Sequence, residues 1–400
     1  MNPGRGRGVV RRVLAVVVVL HGLLHLLGGA KGLRWSTVSS LTQPIGRVAG
    51  GVWLVAALLV VLAGLLLALA APRWWVAFGV AAVASQAVIL TSWTDARAGT
   101  LVNVLMLVAA VYGWASQGPR SLSAEYRRRV SNALSAPPPE ASGRVGPVVT
   151  NDELAHLPPS VAAYVRQGGA VGLPHVTSIR ARIHGRIRFS ATSTWMPFTG
   201  EQVNTYGPDS CRLFSMDANL HGLPVDVLHV FTGDAASMRV RAASLVPMVD
   251  AAGPQMDRAE TVTLFNDMCV LAPAALIDAD VSWSVTGRRT VHATFTRGPQ
   301  TVDADLAFNR SDELVDFVSD DRLAGSPDGK TFTPRRWSTP LGDYRDVGGR
   351  RLATHGEARW GGPPPDQPFT YLELTVDDIE YDLEDDAEPV AAHRRHTHQE

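Results

Sequence analysis

The sequence predicts a membrane α-helical bundle of four transmembrane helices followed by an α+β domain, in which a curved antiparallel, half-barrel-like sheet surrounds one central helix. Three observations predict this. Residues 1–118 hold four apolar stretches of near-membrane length, the region from His175 onward alternates with a period of two, and a single segment inside that region, Gly253 to Pro273, has helical periodicity.

The first apolar stretch is VLAVVVVLHGLLHLLGGA (13–30), preceded by Arg5, Arg7, Arg11 and Arg12. A secretory signal begins this way, but no small-residue cleavage site closes the segment, and three further apolar stretches follow at 49–71, 74–92 and 100–118. Each approaches the ~20 residues a helix needs to cross a bilayer. The expected location is therefore the bacterial plasma (inner) membrane, multi-pass, with the bilayer itself as a partner. Nine Arg residues flank the spans on the side of both termini, against Lys31, Arg34, Arg47 and Arg97 on the other, which predicts a cytoplasmic soluble domain.

His21 and His25 share one face of the first span, Gln86 lies in the third and Asn103 in the fourth. Ionisable and amide groups at this depth face a bundle interior, where they either form a proton or ligand site or hydrogen-bond the helices to one another. Two His without a neighbouring Cys, Asp or Glu make a thin metal site, so neither a metal nor a cofactor is expected.

Charge divides the chain sharply. Residues 1–136 carry thirteen Lys and Arg against Asp95 and Glu125, a net of +11, and the whole chain is −1, so the remainder carries −12. An acidic soluble half excludes nucleic acid as its partner. The two cysteines, Cys211 and Cys269, exclude a disulfide framework and read as packed thiols.

The segment 119–147 is read as a linker, with an Arg-rich amphipathic stretch SAEYRRRVSNAL leading into Pro137, Pro138 and Pro139. The soluble domain is expected over 148–385 and a disordered tail over 386–400. It opens on a short helix near 151–167, interrupted by Pro158 and Pro159, with Val161, Tyr164 and Val165 as its docking face. About ten strands are expected, among them RARIHGRIRF, SCRLFSMDANL, VLHVFTG, LVDFVSDDR and FTYLELTVDDIEYDL, separated by Gly, Pro and Asp turns.

The central segment reads GPQMDRAETVTLFNDMCVLAP. Pro254 suits a first helical turn and Pro273 stops the run. Val262, Phe265 and Cys269, with Leu264, Met268 and Leu271, form a broad apolar face made to lie on a sheet. A separate stripe holds Glu260, Thr263 and Asp267 with Asn266 beside it. Two carboxylates two turns apart either share acid/base work, making Glu260 and Asp267 the catalytic candidates, or anchor the helix to the sheet. Two other sets, Ser319-Asp320-Asp321-Arg322 and His355, Glu357 and Arg359, read as a turn and a solvated strand face. No phosphate-cradling glycine loop, G-x-S-x-G, CxxC or HExxH occurs.

The motifs LPPSVAAYVRQGGAVG, WMPFTGEQ, LVPMVDAAGPQMDRAET, FNDMCVLAPAALIDA, ADLAFNRSDELVDFVSDDR, RRWSTPLGDYR and GEARW occur between Leu157 and Tyr381. In combination this run resembles an uncharacterised bacterial membrane-anchored family known only as a domain of unknown function. HGLLHLLG, SQAVILTSWTDARAGT and Asn103 are similar to the four-helix module that precedes it in some members. The resemblance implies shared architecture and no catalytic residue. A weaker similarity, in topology only, is to curved-sheet lipid and lipoprotein carriers of the bacterial envelope, which work outside the cytoplasm and so conflict with the predicted orientation.

The leading expectation is a membrane-anchored binding module for a lipid-like or other apolar small molecule, with Trp195, Phe198, Glu260, Asn266, Asp267 and Trp337 as binding residues. The alternatives are an enzyme acting on a membrane-associated substrate and a scaffold or sensor docking an unidentified protein.

Overall fold

A computed structural model describes residues 3–135, 148–207, 209–361 and 367–383; the proline linker at 137–139 and the tail at 386–400 lie outside them. The chain divides into two compact units, the first built on Met1–Glu125 and the second on most of the remainder.

In the first unit, α1 (Pro3–Gly32), α2 (Arg47–Ala68), α3 (Trp74–Thr91), the single turn α4 (Trp93–Ala96) and α5 (Gly99–Gln117) follow one another. α1, α2, α3 and the stretch beginning at Gly99 are long and apolar enough to cross a membrane, and the chain is a membrane protein. Their outward sides carry exposed Val and Leu, as lipid contact requires, and their inward sides carry Ala, Gly and aromatic residues. α1 and α2 approach so closely that a Cβ on Gly32 would lie 2.5 Å from the Gly50 Cα, so glycine is required at this contact.

α6 (Leu122–Leu134) starts in the first unit, and the second begins within it at Tyr126, which is buried and donates its hydroxyl to Glu201 Oε1 at 3.1 Å. α7 (Pro159–Gln167) starts at the predicted proline and buries Val161, Tyr164 and Val165, as its pattern implied. Six strands then run in order: β1 (Ser178–Ile187), β2 (Met196–Thr205), β3 (Cys211–Leu220), β4 (Leu223–Thr232), β5 (Ala235–Ala242) and β6 (Val246–Ala252). α8 (Pro254–Leu271) follows. Beyond it come β7 (Val281–Gly287), β8 (Thr290–Arg297), β9 (Gln300–Phe308), β10 (Leu314–Ser319), β11 (Leu323–Gly325), β12 (Phe332–Pro334), β13 (Trp337–Ser338), β14 (Leu341–Val347), β15 (Arg350–Trp360) and β16 (Phe369–Tyr381).

Fourteen of these strands form one open sheet in the order β6-β5-β4-β3-β2-β1-β16-β15-β13-β10-β9-β8-β7, with β14 added on β15; β11 and β12 make a separate pair. The last strand closes the middle of the sheet by pairing antiparallel with both β1 and β15. More strands form than the roughly ten the sequence predicts. Among the strands without a predicted counterpart, β5, β6 and β7 lie at or next to the two ends of the sheet, where one side lacks a neighbour, while β14 is added on β15 and β11 pairs only with β12. β6 and β7 each bury few side chains, which removes the alternation that marks a strand.

α8 occupies the predicted segment and is surrounded. Every residue from Ala259 to Leu271 is buried, and the helix packs on β9, β10, β11 and β15. Phe265 stacks on Phe295 at 4.9 Å and meets Phe317 edge-on at 5.5 Å. Burial of each such large side chain stabilises the fold by ~1.5–3 kcal/mol relative to exposure. Gly253 precedes the helix at φ 101°, a conformation open to glycine and costly for other residues. At the far end, Tyr164 and Tyr381 donate their hydroxyls to the carbonyls of Cys269 and Leu271, satisfying acceptors the helix cannot. Cys211 and Cys269 are buried free thiols, and burial pushes both up from the ordinary thiol range.

Candidate functional site

Antiparallel pairing sets Gln202 opposite Phe214 and Asn204 opposite Arg212, so these four side chains share the face of the sheet turned toward α8. Arg212 is buried and reaches both carboxylates of the helix stripe. Its Nε donates to Asp267 Oδ2 at 2.6 Å and its Nη1 to Glu260 Oε2 at 2.9 Å. Gln202 Nε2 adds a 2.7 Å bond to the same Asp267 oxygen, and Asn204 a longer one at 3.4 Å. Two helical turns separate Glu260 from Asp267, and one guanidinium spans them.

The rest of the stripe does not join this cluster. Thr263 bonds back to the Ala259 carbonyl at 3.0 Å, and Asn266 donates to Thr339 Oγ1 at 2.7 Å. Asn266 thus fastens the helix to the segment before β14, the anchoring alternative for that position.

Glu260 has a second oxygen, and this is where the site opens. His229 Nδ1 of β4 lies 3.4 Å from Glu260 Oε1, and Arg322 Nη2 lies 3.8 Å from it. Both contacts are long, and Glu260 Oε1, His229 Nδ1 and Arg322 Nε are buried atoms without a well-formed hydrogen bond among the described residues. A buried polar group in that condition costs ~1–3 kcal/mol. Burial alone would raise the Glu260 carboxyl. The neighbouring Arg212, His229 and Arg322 outweigh that effect and hold it well below the usual carboxylate range. Glu260 is therefore a fixed anion.

Aromatic rings surround this point. Arg322 lies over Trp337 at 5.5 Å and over Trp360 at 5.8 Å. Trp360 stacks on Tyr371 at 5.4 Å, and Trp337 Nε1 donates to the Tyr371 hydroxyl at 3.1 Å. On the other side Phe214 lies 5.9 Å from the His229 ring and 5.4 Å from the Arg212 guanidinium. Phe214, His229, Arg322, Trp360 and Tyr371 are only partly buried.

The structure brings together Glu260, Asp267 and Trp337 and leaves the other expected binding residues elsewhere. Phe198 is 1% exposed in the general core, opposite Ala218. Trp195 is partly buried just before β2, with Arg186 at 4.6 Å and Arg188 at 4.4 Å over its ring. Two cations therefore share one partly buried indole, apart from the cluster at Glu260. The Ser319–Arg322 turn is stitched by Ser319 Oγ to the Asp303 carbonyl and by Asp321 to Arg258, while its Arg322 turns inward to Glu260. Glu357 is held by Arg359 and Thr370 at 2.8 Å each. Among the described residues, no three His, Cys, Asp or Glu side chains lie close enough together to hold a metal ion.

Sequence reasoning missed Arg212, His229, Arg322, Gln202 and Asn204. A signal existed for Arg212, whose position in CRLFSM alternates with Phe214 and Met216 and so places a charge on an inward strand face. His229, inside VLHVF, carries the same mark.

In the first unit His21, His25, Gln86 and Asn103 do meet. His25 Nδ1 bonds to the His21 carbonyl at 3.1 Å, which makes Nδ1 the protonated nitrogen, and Ser85 Oγ then donates to His25 Nε2 at 2.8 Å. His21 Nε2 lies 3.2 Å from both Ser85 Oγ and Asn103 Oδ1. Asn103 donates to Gln86 Oε1 at 2.9 Å, and Gln86 donates to Thr100 Oγ1 at 3.2 Å. The result is one hydrogen-bonded chain through α1, α3 and α5.

A family of unknown function, DUF6544, matches residues 147–374, overlapping most of the Leu157–Tyr381 span whose motifs carried the resemblance. No curated protein matches the chain. Two solved structures are similar at low scores. A DUF1329 family protein from Desulfovibrio piger ATCC 29098 shares 10% identity at a TM-score of 0.35 over 56% of this chain and 92% of that one. A domain assigned to an outer membrane lipoprotein-sorting protein, from Vibrio parahaemolyticus, shares 10% identity at a TM-score of 0.31 over 51% and 85%. At these scores neither likeness bears on what the chain binds.

Proposed function

This chain belongs to the family of unknown function DUF6544, and we propose that its soluble domain, over 148–385, is a membrane-anchored binding module for a lipid-like amphipathic molecule. Three neighbouring side chains that each keep an unpaired buried atom, Glu260 at Oε1, His229 at Nδ1 and Arg322 at Nε, beside partly buried Phe214, Trp360 and Tyr371, carry the reading. Glu260 Oε1 requires a donor and Arg322 Nε requires an acceptor. A hydroxyl supplies both, so the ligand's polar end is a hydroxyl-bearing group and its apolar part lies on the aromatic rings.

The enzyme reading has less behind it. A carboxylate held ionised by Arg212 is a poor general acid and a weak base, and Asp267 is engaged by three side chains. The positive flanks of the spans support a cytoplasmic placement of the binding domain, which a reporter fused at the carboxyl terminus tests.

The binding test is native mass spectrometry of the full chain released from detergent. Wild type is expected to carry an amphipathic mass that Arg322→Gln and Trp360→Ala lose while remaining folded. An empty, folded wild type, or variants that keep the mass, would overturn the reading and leave ordered water as the partner of the three atoms.

A further inference from the structure

We infer that the lipid-facing groove between α3 and α5 is a specific site for one acyl-ester phospholipid, whose ester carbonyl is bound by Gln86 and Thr100. The groove has a volume of about 530 Å³, within the range of pockets that enclose small molecules. Its walls are largely apolar and lipid-exposed, with Val83 and Leu90 from α3 and Val104 and Leu107 from α5. Gln86, Thr100 and Asn103 are the polar residues in its lining.

The hydrogen-bonded chain described above fixes which hydrogens remain. Asn103 donates to Gln86 Oε1, so the Gln86 carbonyl is engaged, and one hydrogen of its Nε2 goes to Thr100 Oγ1. The second Nε2 hydrogen and the Thr100 hydroxyl hydrogen have no acceptor among the described residues, and both groups line the groove. Hydrocarbon offers no water to take them. The missing partner is an acceptor without a donor, which describes a carbonyl and not a hydroxyl.

Depth selects the carbonyl's source. Gln86 stands five residues before the end of α3 and Thr100 is the second residue of α5, so both lie within about 8 Å of the helix ends joined by the α4 turn. Glycerol esters of the leaflet on that side reach this level. From there the groove continues toward mid-membrane along Val83 and Leu107, about 10 Å beyond Thr100 in the case of Leu107, which is the path of an acyl chain.

Diester and diether phospholipids with the same chains differ only in their two ester carbonyls, and they make the test. The full chain is delipidated and reconstituted with dioleoyl diester or dioleyl diether phosphatidylcholine, and retained lipid is counted by native mass spectrometry. Wild type is expected to retain the diester about fivefold better, the equivalent of one hydrogen bond within a membrane. Gln86→Leu and Thr100→Val each shrink the preference, and Ala87→Trp, which fills the groove without touching the hydrogen-bonded chain, lowers retention of both lipids. Thr100→Val serves if Gln86→Leu fails to fold, because it removes only the last member of the chain. Equal retention of the two lipids by wild type, a preference that survives Thr100→Val, or a lipid-free dimer would overturn the proposal.

Discussion

Two regions of this protein bury polar side chains in the middle of helical packing, and they do so with different chemistry. Around α8 the buried groups are full charges: Arg212 between Glu260 and Asp267, with Arg322 beside them. Between the membrane helices they are neutral imidazole, hydroxyl and amide groups in one chain from His25 to Thr100. A charge inside a water-surrounded domain needs strands that bring a counter-charge from a distant point in sequence, and β3 does this for α8. A helix bundle in lipid lacks that source, so its polar groups must satisfy one another pairwise. The soluble cluster is therefore strong but intolerant of losing one member, while the membrane chain is weak and graded.

Removing the central cation should break this contrast most visibly. Arg212→Ala deprives two buried carboxylates of the cation they share and is expected to destabilise the second unit by about 3–5 kcal/mol, read as a lowered denaturation midpoint of the full chain in detergent. A loss below about 1 kcal/mol would show that the cluster relaxes or hydrates freely, and the difference between the two regions would vanish. The membrane counterpart is Asn103→Leu, which removes a link between His21 and Gln86. Its expected cost is ~0.6–1.7 kcal/mol, because the remaining groups find other partners in the bundle. If it matched Arg212→Ala, the membrane chain would be as cooperative as the charged cluster.

Proton linkage sharpens the comparison at smaller amplitude. Glu260 is depressed in the folded state, so its contribution is present above the ordinary carboxylate range and is lost as the pH falls toward its lowered value. His175 has the opposite sign. Burial lowers it, but bonds to Asp278 at 2.6 Å and Glu153 at 3.2 Å outweigh burial and raise it. Its contribution is therefore complete below the ordinary imidazole range and is lost as the pH rises through the raised value. Stability of the full chain should fall at both ends, and His175→Gln should flatten only the alkaline limb near neutrality. A limb unchanged in that variant would assign it to another group.

Much of the architecture is legible in the sequence. α8 begins at Pro254 and ends before Pro273 because its proline boundaries and apolar recurrence are local signals. The membrane spans follow from length and apolarity, and α7 from its proline and its three docking residues. The edge strands β6 and β7 are not legible, since a half-exposed edge lacks the alternation that burial on one face imposes. The setting of Trp195 is not legible for a related reason. Nothing local marks an aromatic side chain in a strand-rich region as the partner of two arginines, one from β1 and one from the loop after it.

The sequence by itself determined the parts whose cause lies within about one helical turn or one strand: the four spans, the central helix, its polar stripe and the alternating strands. The tertiary structure alone decided which stripe members act together. Glu260 and Asp267 become one site because β3 lies where it does, 48 and 55 residues away in sequence from the carboxylates its arginine joins. His229 and Arg322 complete it from strands and turns on either side of α8. Periodicity records which face a residue occupies, because that is set by backbone geometry. It carries no record of which distant side chain will face it, because that is set by sheet order and register across the whole domain.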